Sequence, residues 1–172
     1  MQLIDRFKDQ RVFIDALRAQ YIVQGNGAIA ADLAKVANLS QHPAGTPLIQ
    51  QGAHDNHIFF ILAGKVAVYI NGQELARRRA GQHVGEMAMI DSAAPRSGSV
   101  IARDTVVLAE VSEADFSDIS SKHPVVWRRI AEQLCDRLRQ RSRFVRERND
   151  TPIIFLGSSR ESLPVVTLLS TI

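Results

Sequence analysis

The sequence contains one cysteine, one tryptophan and two tyrosines, and it has no long uninterrupted apolar run. The lone Cys135 excludes an intramolecular disulfide. No stretch approaches the roughly 18 consecutive apolar residues that a membrane-spanning helix needs, so no membrane partner is expected. The first residues lack a basic segment followed by an apolar one, so no secretory signal is expected. Together these absences predict a protein of the reducing cytoplasm.

Acidic and basic residues nearly balance, with 18 Asp and Glu against 21 Lys and Arg, and 45% of the 172 residues are hydrophobic. This composition excludes intrinsic disorder and is typical of one folded domain with a short addition. The charge is unevenly placed: eight arginines and three acidic residues between Val125 and Asn149 give that segment +5 and the remainder −2. Such a basic helix makes nucleic-acid binding an alternative to be weighed.

Hydrophobic spacing changes from helical to strand-like near Leu39. Apolar residues at intervals of mainly three, four and seven predict helices over Leu3–Val23 and Ala28–Leu39. Beyond them, short apolar runs separated by glycines predict antiparallel strands, and Asn71-Gly72 is typical of a type I′ hairpin turn. The clearest strands are 57–63, 65–70, 74–78, 97–102 and 106–111. Arg77-Arg78-Arg79 is expected to form a solvated sheet edge.

A long helix is predicted from Pro124 to about Asn149, because proline suits a first helical turn and an apolar stripe follows. The stripe repeats every four residues at Val126, Ile130, Leu134 and Leu138. Cys135 lies beside it and is expected to be a packed, inert thiol. The predicted fold class is α+β: a jelly-roll-like antiparallel β-roll of about eight strands, flanked by N-terminal helices and this long C-terminal helix.

The stretch from Gly85 to Val100 carries the candidate chemistry. Gly85 lets the backbone approach a ligand, and the free amides of a short helix over 86–90 point toward an anion. The planar guanidinium of Arg96 matches two phosphate oxygens, whereas the Glu86 carboxylate suits a neutral donor such as a sugar hydroxyl. A phosphate site beside a sugar-hydroxyl site predicts a nucleotide ligand.

This stretch resembles the phosphate-binding cassette of cyclic nucleotide-binding domains of the catabolite-activator type. The resemblance covers roughly 39–148 and includes 43–45, 51–53, 58–64 and 81–85 at the family's usual places. It implies that Glu86 binds the ribose 2′-OH and that Arg96 binds the cyclic phosphate. It also implies that the rest of the ligand site comes from Gly85, Ser97 and the backbone amides of Met87 and Ala88. The long helix would act as a lid.

Two other questions about these residues stay open. In one alternative, Glu86 and Arg96 form a structural ion pair in a β-barrel, and in another the site is degenerate and binds nothing. The side chain that faces the base is also open, and the candidates are Ser97, Ser99, Trp127, Gln133 and Arg137. No metal site is predicted, because His54 and His57 have no further cluster of ligating residues around them in the sequence.

The last residues differ from the rest of the chain. Residues 153–156 are typical of a buried strand, 157–159 of a tight turn and 163–172 of the start of an apolar helix. This tail resembles the start of a Toll/interleukin-receptor (TIR)-like domain, so the chain is interpreted as a fragment of a longer protein. The predicted domains are the N-terminal helices 1–38, a cyclic nucleotide-binding domain 39–149 and a truncated TIR-like α/β domain 150–172.

A cyclic nucleotide sensor joined to a TIR-like domain resembles the effectors of bacterial Pycsar antiphage systems. The resemblance implies that a cyclic pyrimidine nucleotide, cUMP or cCMP, fills the sensor and that homodimers or larger homo-oligomers switch on NAD⁺ hydrolysis by the TIR domain. This fragment would hold no catalytic residue and no cofactor, whereas its parent would be an NAD⁺ hydrolase. Nucleic acid is then not an expected partner. The alternatives are a truncated catabolite-activator-type transcription regulator and a regulatory domain of a channel or kinase.

Overall fold

Two four-stranded antiparallel sheets form the centre of the computed structural model, which describes residues 2–142. The first sheet has the order β1-β8-β3-β6 and the second β2-β7-β4-β5. The strands are β1 (Asn38–His42), β2 (Pro47–Ile49), β3 (His57–Ala63), β4 (Lys65–Ile70), β5 (Gln73–Arg79), β6 (His83–Val84), β7 (Ser99–Ala102) and β8 (Val106–Ser112). The prediction of an α+β fold with an antiparallel roll of about eight strands is confirmed.

Helices precede and follow the strands, and one short helix lies between β6 and β7. They are a 3-10 helix (Leu3–Lys8), α1 (Gln10–Arg18), α2 (Gly27–Val36), α3 (Met87–Ile90), α4 (Glu113–Lys122) and α5 (Val125–Ser142). One continuous helix over Leu3–Val23 was the wrong expectation. Asp9 adopts an extended backbone there and caps α1, because its side chain accepts hydrogen bonds from the backbone amides of Arg11 and Val12. The second helix also ends before Leu39, since Asn38–His42 pairs with β8 instead.

Alternating side chains of β3 build two separate cores. Phe59 and Ile61 lie in the cluster between the two sheets. Ile58, Phe60 and Leu62 lie in the other cluster, which includes residues of α1, α2, α4 and α5. Successive strand residues point to opposite faces, so this near-continuous apolar strand is covered on both sides.

A tight hairpin connects β4 to β5. Asn71 and Gly72 have φ values of 51° and 80°, and Ile70 pairs with Gln73 on either side of them. Positive φ at both central residues is the requirement of a type I′ turn. The predicted hairpin is confirmed, and it places β5 at the edge of the second sheet.

The apolar stripe of α5 is buried only in its first half. Val126 and Ile130 are fully buried, Leu134 is half-buried and Leu138 is 65% exposed. Cys135 is exposed as well, so the expectation of a packed thiol is wrong. The predicted continuation of the helix to Asn149 and the tail 150–172 lie outside the described residues. Across residues 2–142, no helix combines the length and the apolar character needed to cross a membrane.

Candidate functional site

Gly85 links the edge strand β6 to α3 through a backbone conformation that disfavours other residues. Its φ is 89°, and a Cβ atom there would lie 2.5 Å from the carbonyl oxygen of His57 and 3.0 Å from Nη1 of Arg96. A side chain would therefore collide with β3 and strain the backbone. Glycine allows the chain to turn sharply, so that Glu86 and Arg96 both come close to this turn.

Arg96 is 6% exposed, and its side chain is held by the loop before β3, by the start of β3 and by the turn after β6. Its Nε donates to Oδ2 of Asp55 at 3.0 Å, and its Nη2 donates to the same carboxylate. Nη1 donates to the carbonyl of Gly85 at 3.2 Å, and Nη2 to the carbonyl of His57 at 2.9 Å. These four bonds use four of the five N–H donors of a guanidinium. Hydrogen bonding from Arg96 holds the pKa of Asp55 below its ordinary value.

Glu86 is 4% exposed and pairs with α5 rather than with a neighbouring residue. Nη1 of Arg137 donates to its Oε1, and Nη2 of Arg137 donates to the carbonyl of His83 at 2.7 Å. Burial acts to raise the pKa of Glu86, but the charges of Arg137 and its neighbours prevail and lower it. Glu86 is therefore a carboxylate at neutral pH.

The second carboxylate oxygen of Glu86 is a buried acceptor. Oε2 has no hydrogen-bond partner among residues 2–142. A buried, unsatisfied acceptor is costly, and such atoms are usually matched by a ligand, a water molecule or a functional group. Oε2 can accept a hydrogen bond from a ligand hydroxyl while Oε1 stays bound to Arg137.

The alternative of a Glu86–Arg96 ion pair is wrong. Each residue has its own oppositely charged partner, Arg137 for Glu86 and Asp55 for Arg96. The site thus contains two separate charge pairs, the Arg96–Asp55 pair and the Glu86–Arg137 pair. Sequence spacing did not point to Asp55, and it offered Arg137 only as one of several base-facing candidates.

The remaining predicted site residues surround α3. Met87 is exposed, and its Sδ lies 3.2 Å from Oγ of the exposed Ser97. Ala88 is buried, and its backbone amide donates to the carbonyl of Gly85 at 3.2 Å. All six predicted residues, from Gly85 to Ser97, therefore lie in one connected segment around the two charge pairs.

The base-facing candidates separate into different environments. The ring of Trp127 packs edge-on against Phe116, with centroids 5.6 Å apart, so it belongs to the core. Oγ of Ser99 accepts the backbone amide of Gln51 at 2.9 Å. Gln133 is buried, and within the described part of the chain its Oε1 has no partner. Gln133 and Ser97 keep polar atoms that are not bonded to the backbone.

His83 is a buried group that the sequence did not single out. Its side chain is fully buried, and both ring nitrogens lack a hydrogen-bond partner in the described structure. The pKa of His83 is lowered to about 4, chiefly by burial; the charge of Glu86 opposes this shift, and the charges of Arg137 and Arg78 add to it. The imidazole next to the Glu86–Arg137 pair is therefore neutral at pH 7.

Comparison with known proteins shows similarity to cyclic nucleotide-binding proteins. Residues 39–123 match the family model of the cyclic nucleotide-binding domain. The chain is 41% identical over 170 residues to the Pycsar effector protein XpPycTIR of Xanthomonas perforans and 36% identical to BcPycTIR of Burkholderia cepacia, covering 97% of this chain in each case. It spans 56% of the length of each relative. The crystal structure of Thermus thermophilus catabolite activator protein superposes with a TM-score of 0.60 and 26% identity, over 68% of this chain and 56% of that one.

Proposed function

Because residues 39–123 belong to the cyclic nucleotide-binding domain family, we propose that the site around Gly85–Ser97 binds a cyclic nucleotide and that the chain is a sensor of this ligand. The observation that carries the proposal is the pair of buried, oppositely charged groups in the cassette. Arg96 supplies a cation, and Oε2 of Glu86 supplies an unpaired acceptor. A ribose 3′,5′-cyclic phosphate presents the matching anion and hydroxyl donor on one rigid ring system.

Each predicted residue has a role in this proposal. The cyclic phosphate takes the one N–H of Arg96 that is not bonded within the protein, and it competes with Asp55 for two others. Gly85, Ser97 and the amide of Met87 surround the same phosphate, and the amide of Ala88 reaches it by sharing the hydrogen that it donates to the carbonyl of Gly85. The ribose 2′-OH donates to Oε2 of Glu86. No group in this set needs a metal or a cofactor for binding.

The whole protein is proposed to be a Pycsar-type effector. Two relatives that carry this name cover nearly all of the chain. In this proposal the ligand is cUMP or cCMP, the protein acts in the cytoplasm as a homodimer or larger homo-oligomer, and a C-terminal TIR domain beginning near residue 150 hydrolyses NAD⁺ during antiphage defence. A shift of α5, which contacts Glu86 through Arg137, would transmit ligand binding toward that domain.

A catabolite-activator-type transcription regulator is the second candidate, favoured by the 26% identity to the Thermus thermophilus protein. The basic helix gives it little support, because four of its five described arginines have partners within the chain. Arg129 donates to the carbonyls of Ile22 and Val23, while Arg128 and Arg139 pair with carboxylates on α5 itself. A helix-turn-helix after Ile172 would favour this candidate, and a TIR-type sheet would exclude it.

Titration calorimetry of the chain with cUMP, cCMP, cAMP and cGMP tests the proposal. We expect saturable binding of at least one cyclic pyrimidine nucleotide, and no binding of the corresponding linear 5′-monophosphate, whose phosphate carries a second charge and a different geometry. Absence of binding by all four cyclic nucleotides, with the protein folded by circular dichroism, would refute the assignment.

A further inference from the structure

Arg78 is the middle residue of three consecutive arginines on β5, and it alone points inward. Arg77 and Arg79 are exposed, as expected for a solvated edge, whereas Arg78 is half-buried. In the sheet register Arg78 lies directly opposite Val66, which is fully buried in the cluster between the two sheets. Directly opposed residues of an antiparallel pair project from the same face. The Arg78 side chain therefore starts from the inner face of the roll.

An inward guanidinium needs partners, and Arg78 has few. Its Nη1 donates to the carbonyl of Arg77 at 3.0 Å. Arg96 and Arg137, by contrast, each face a carboxylate. Of these three guanidiniums, Arg78 is the one without a carboxylate partner in the described part of the chain. A partly desolvated cation with most of its donors unused is unfavourable unless something else meets it.

Arg78 lies near the Glu86–Arg137 pair. The strand β5 contacts β6, and Glu86 follows β6 by two residues. Burial lowers the pKa of Arg78, the nearby charge of Arg137 lowers it further, and the charge of Glu86 opposes both. Arg78 thus shares its electrostatic environment with the residues assigned to the ribose.

We propose that Arg78 is a specificity-determining residue that donates hydrogen bonds to the base of the bound nucleotide and selects a keto oxygen over an amino group. This inference rests on the proposed function of the site. In the proposed function, Arg96 binds the phosphate and Glu86 binds the ribose hydroxyl. The hydrogen-bond acceptors of the base are therefore the ligand atoms that still have no assigned partner. A guanidinium carries donors only. It matches the exocyclic oxygen at position 4 of uracil or position 6 of guanine, and it opposes the amino group that cytosine or adenine carries at the same position.

The test is calorimetry with two matched keto and amino pairs, cUMP with cCMP and cGMP with cAMP. Arg78→Met keeps the length of the side chain and removes the donors. We expect the ratio of cUMP to cCMP affinity to fall by about tenfold or more in this variant, because a charge-assisted hydrogen bond is lost only for the keto ligand. Arg79→Met, which removes the same charge from an exposed position on the same strand, is the control and should leave the ratio unchanged.

Several outcomes overturn the inference. An equal loss of affinity for all four ligands would show that Arg78 has only a general electrostatic role. An unchanged ratio of cUMP to cCMP affinity would show that Arg78 does not determine specificity. A wild-type preference for the amino ligand of a pair would also contradict it. If Arg78→Met does not fold, Arg78→Lys decides, since it keeps the charge but lacks the planar fork, and the keto preference should still weaken. Absence of binding by the wild type would refute the proposed function itself, whereas normal binding with unaltered discrimination refutes the role of Arg78 alone.

Discussion

The Arg96–Asp55 pair and the Glu86–Arg137 pair have the same chemistry in different surroundings. Asp55 is 41% exposed at its side chain and belongs to the loop before β3, so the first pair lies within the roll and in contact with solvent. In the second pair Glu86 is buried and Arg137 is only 15% exposed at its side chain, and this pair joins the cassette to α5. Nearly all donors of Arg96 are used, whereas Glu86 keeps a buried oxygen without a partner among residues 2–142.

Because their solvent exposure differs, the two pairs are suited to different roles. An exposed carboxylate is hydrated when its partner leaves, so Asp55 can release Arg96 to a competing anion at low cost. A buried carboxylate has no such compensation, so Glu86 depends on Arg137 for its charged state. The first pair is suited to ligand exchange, and the second is suited to making the position of α5 sensitive to what occupies the site.

Arg96→Ala should have the largest effect on ligand binding. The variant removes the cation of the site, and we expect affinity for the preferred cyclic nucleotide to fall by about a thousandfold, beyond the usual range of calorimetry. The fold should be retained, because the Asp55 left behind is partly exposed. Arg103→Ala removes the same charge from an exposed position and serves as the control. Unchanged affinity in Arg96→Ala would contradict the phosphate assignment.

Arg137→Met should have the largest effect on stability. It leaves the Glu86 carboxylate buried without its partner, which costs about 3 kcal/mol in the free energy of unfolding at pH 7. The exposed Arg139→Met is the matched control and should change little, because it breaks only a surface pair. Urea unfolding of both variants measures the difference. Equal stability of the two variants would show that the buried pair is not structurally important.

The same variant has a defined pH dependence. In the wild type the pKa of Glu86 is lowered, so its contribution to stability is present at neutral pH and is lost as pH falls through the folded-state pKa. Without Arg137, the largest remaining influence on Glu86 is burial, which raises its pKa. Protonation of Glu86 then removes the unpaired buried charge from the variant. The difference in the free energy of unfolding between wild type and Arg137→Met should therefore narrow from pH 7 to pH 4.5. A difference that widens over this range would contradict the assignment.

How much of the site could be predicted depended on distance along the chain. Gly85, Glu86 and Arg96 lie within twelve positions, and their residue types and spacing indicate one ligand. The partners of the two charged residues lie 41 and 51 positions away from them. Sheet pairing and helix packing bring these partners into contact. A single sequence contains no pattern that shows which distant residues will meet.

The fold was predictable to a similar extent. The hairpin and the long helix follow from local turn chemistry and periodicity, and both are present. Periodicity could not show how far along α5 the rest of the protein covers the apolar stripe. Cys135, which was expected to be packed, and Leu138, the last residue of the stripe, are both exposed. The break at Asp9 was missed because a capping side chain and a helical aspartate look alike in an amphipathic pattern. The domain limits 1–38, 39–149 and 150–172 stay predictions.

His83 provides a smaller, pH-dependent test beside the Glu86–Arg137 pair. Its folded pKa of about 4 lies below the ordinary value of 6.5, so the unfolded chain binds more protons between these values. Stability should therefore be complete above pH 6.5 and fall by about 2 kcal/mol from pH 7 to pH 5. His83→Gln should reduce this slope, and the exposed His54→Gln should not. An unchanged slope in His83→Gln would place the titrating group elsewhere.

Asp55→Asn should have the smallest effect on stability and completes the comparison with Arg137→Met. Because Asp55 is partly exposed and Arg96 keeps its bonds to the carbonyls of Gly85 and His57, we expect a loss below about 1 kcal/mol in urea unfolding. The same change made at the other pair, Glu86→Gln, should cost more, because the position of Glu86 is buried and the new amide cannot turn its N–H donors away from Arg137 into water, as it can at the exposed position of Asp55. If the two amide variants lost equal stability, solvent exposure would not be what distinguishes the pairs, and ligand exchange at Asp55 would have no energetic basis.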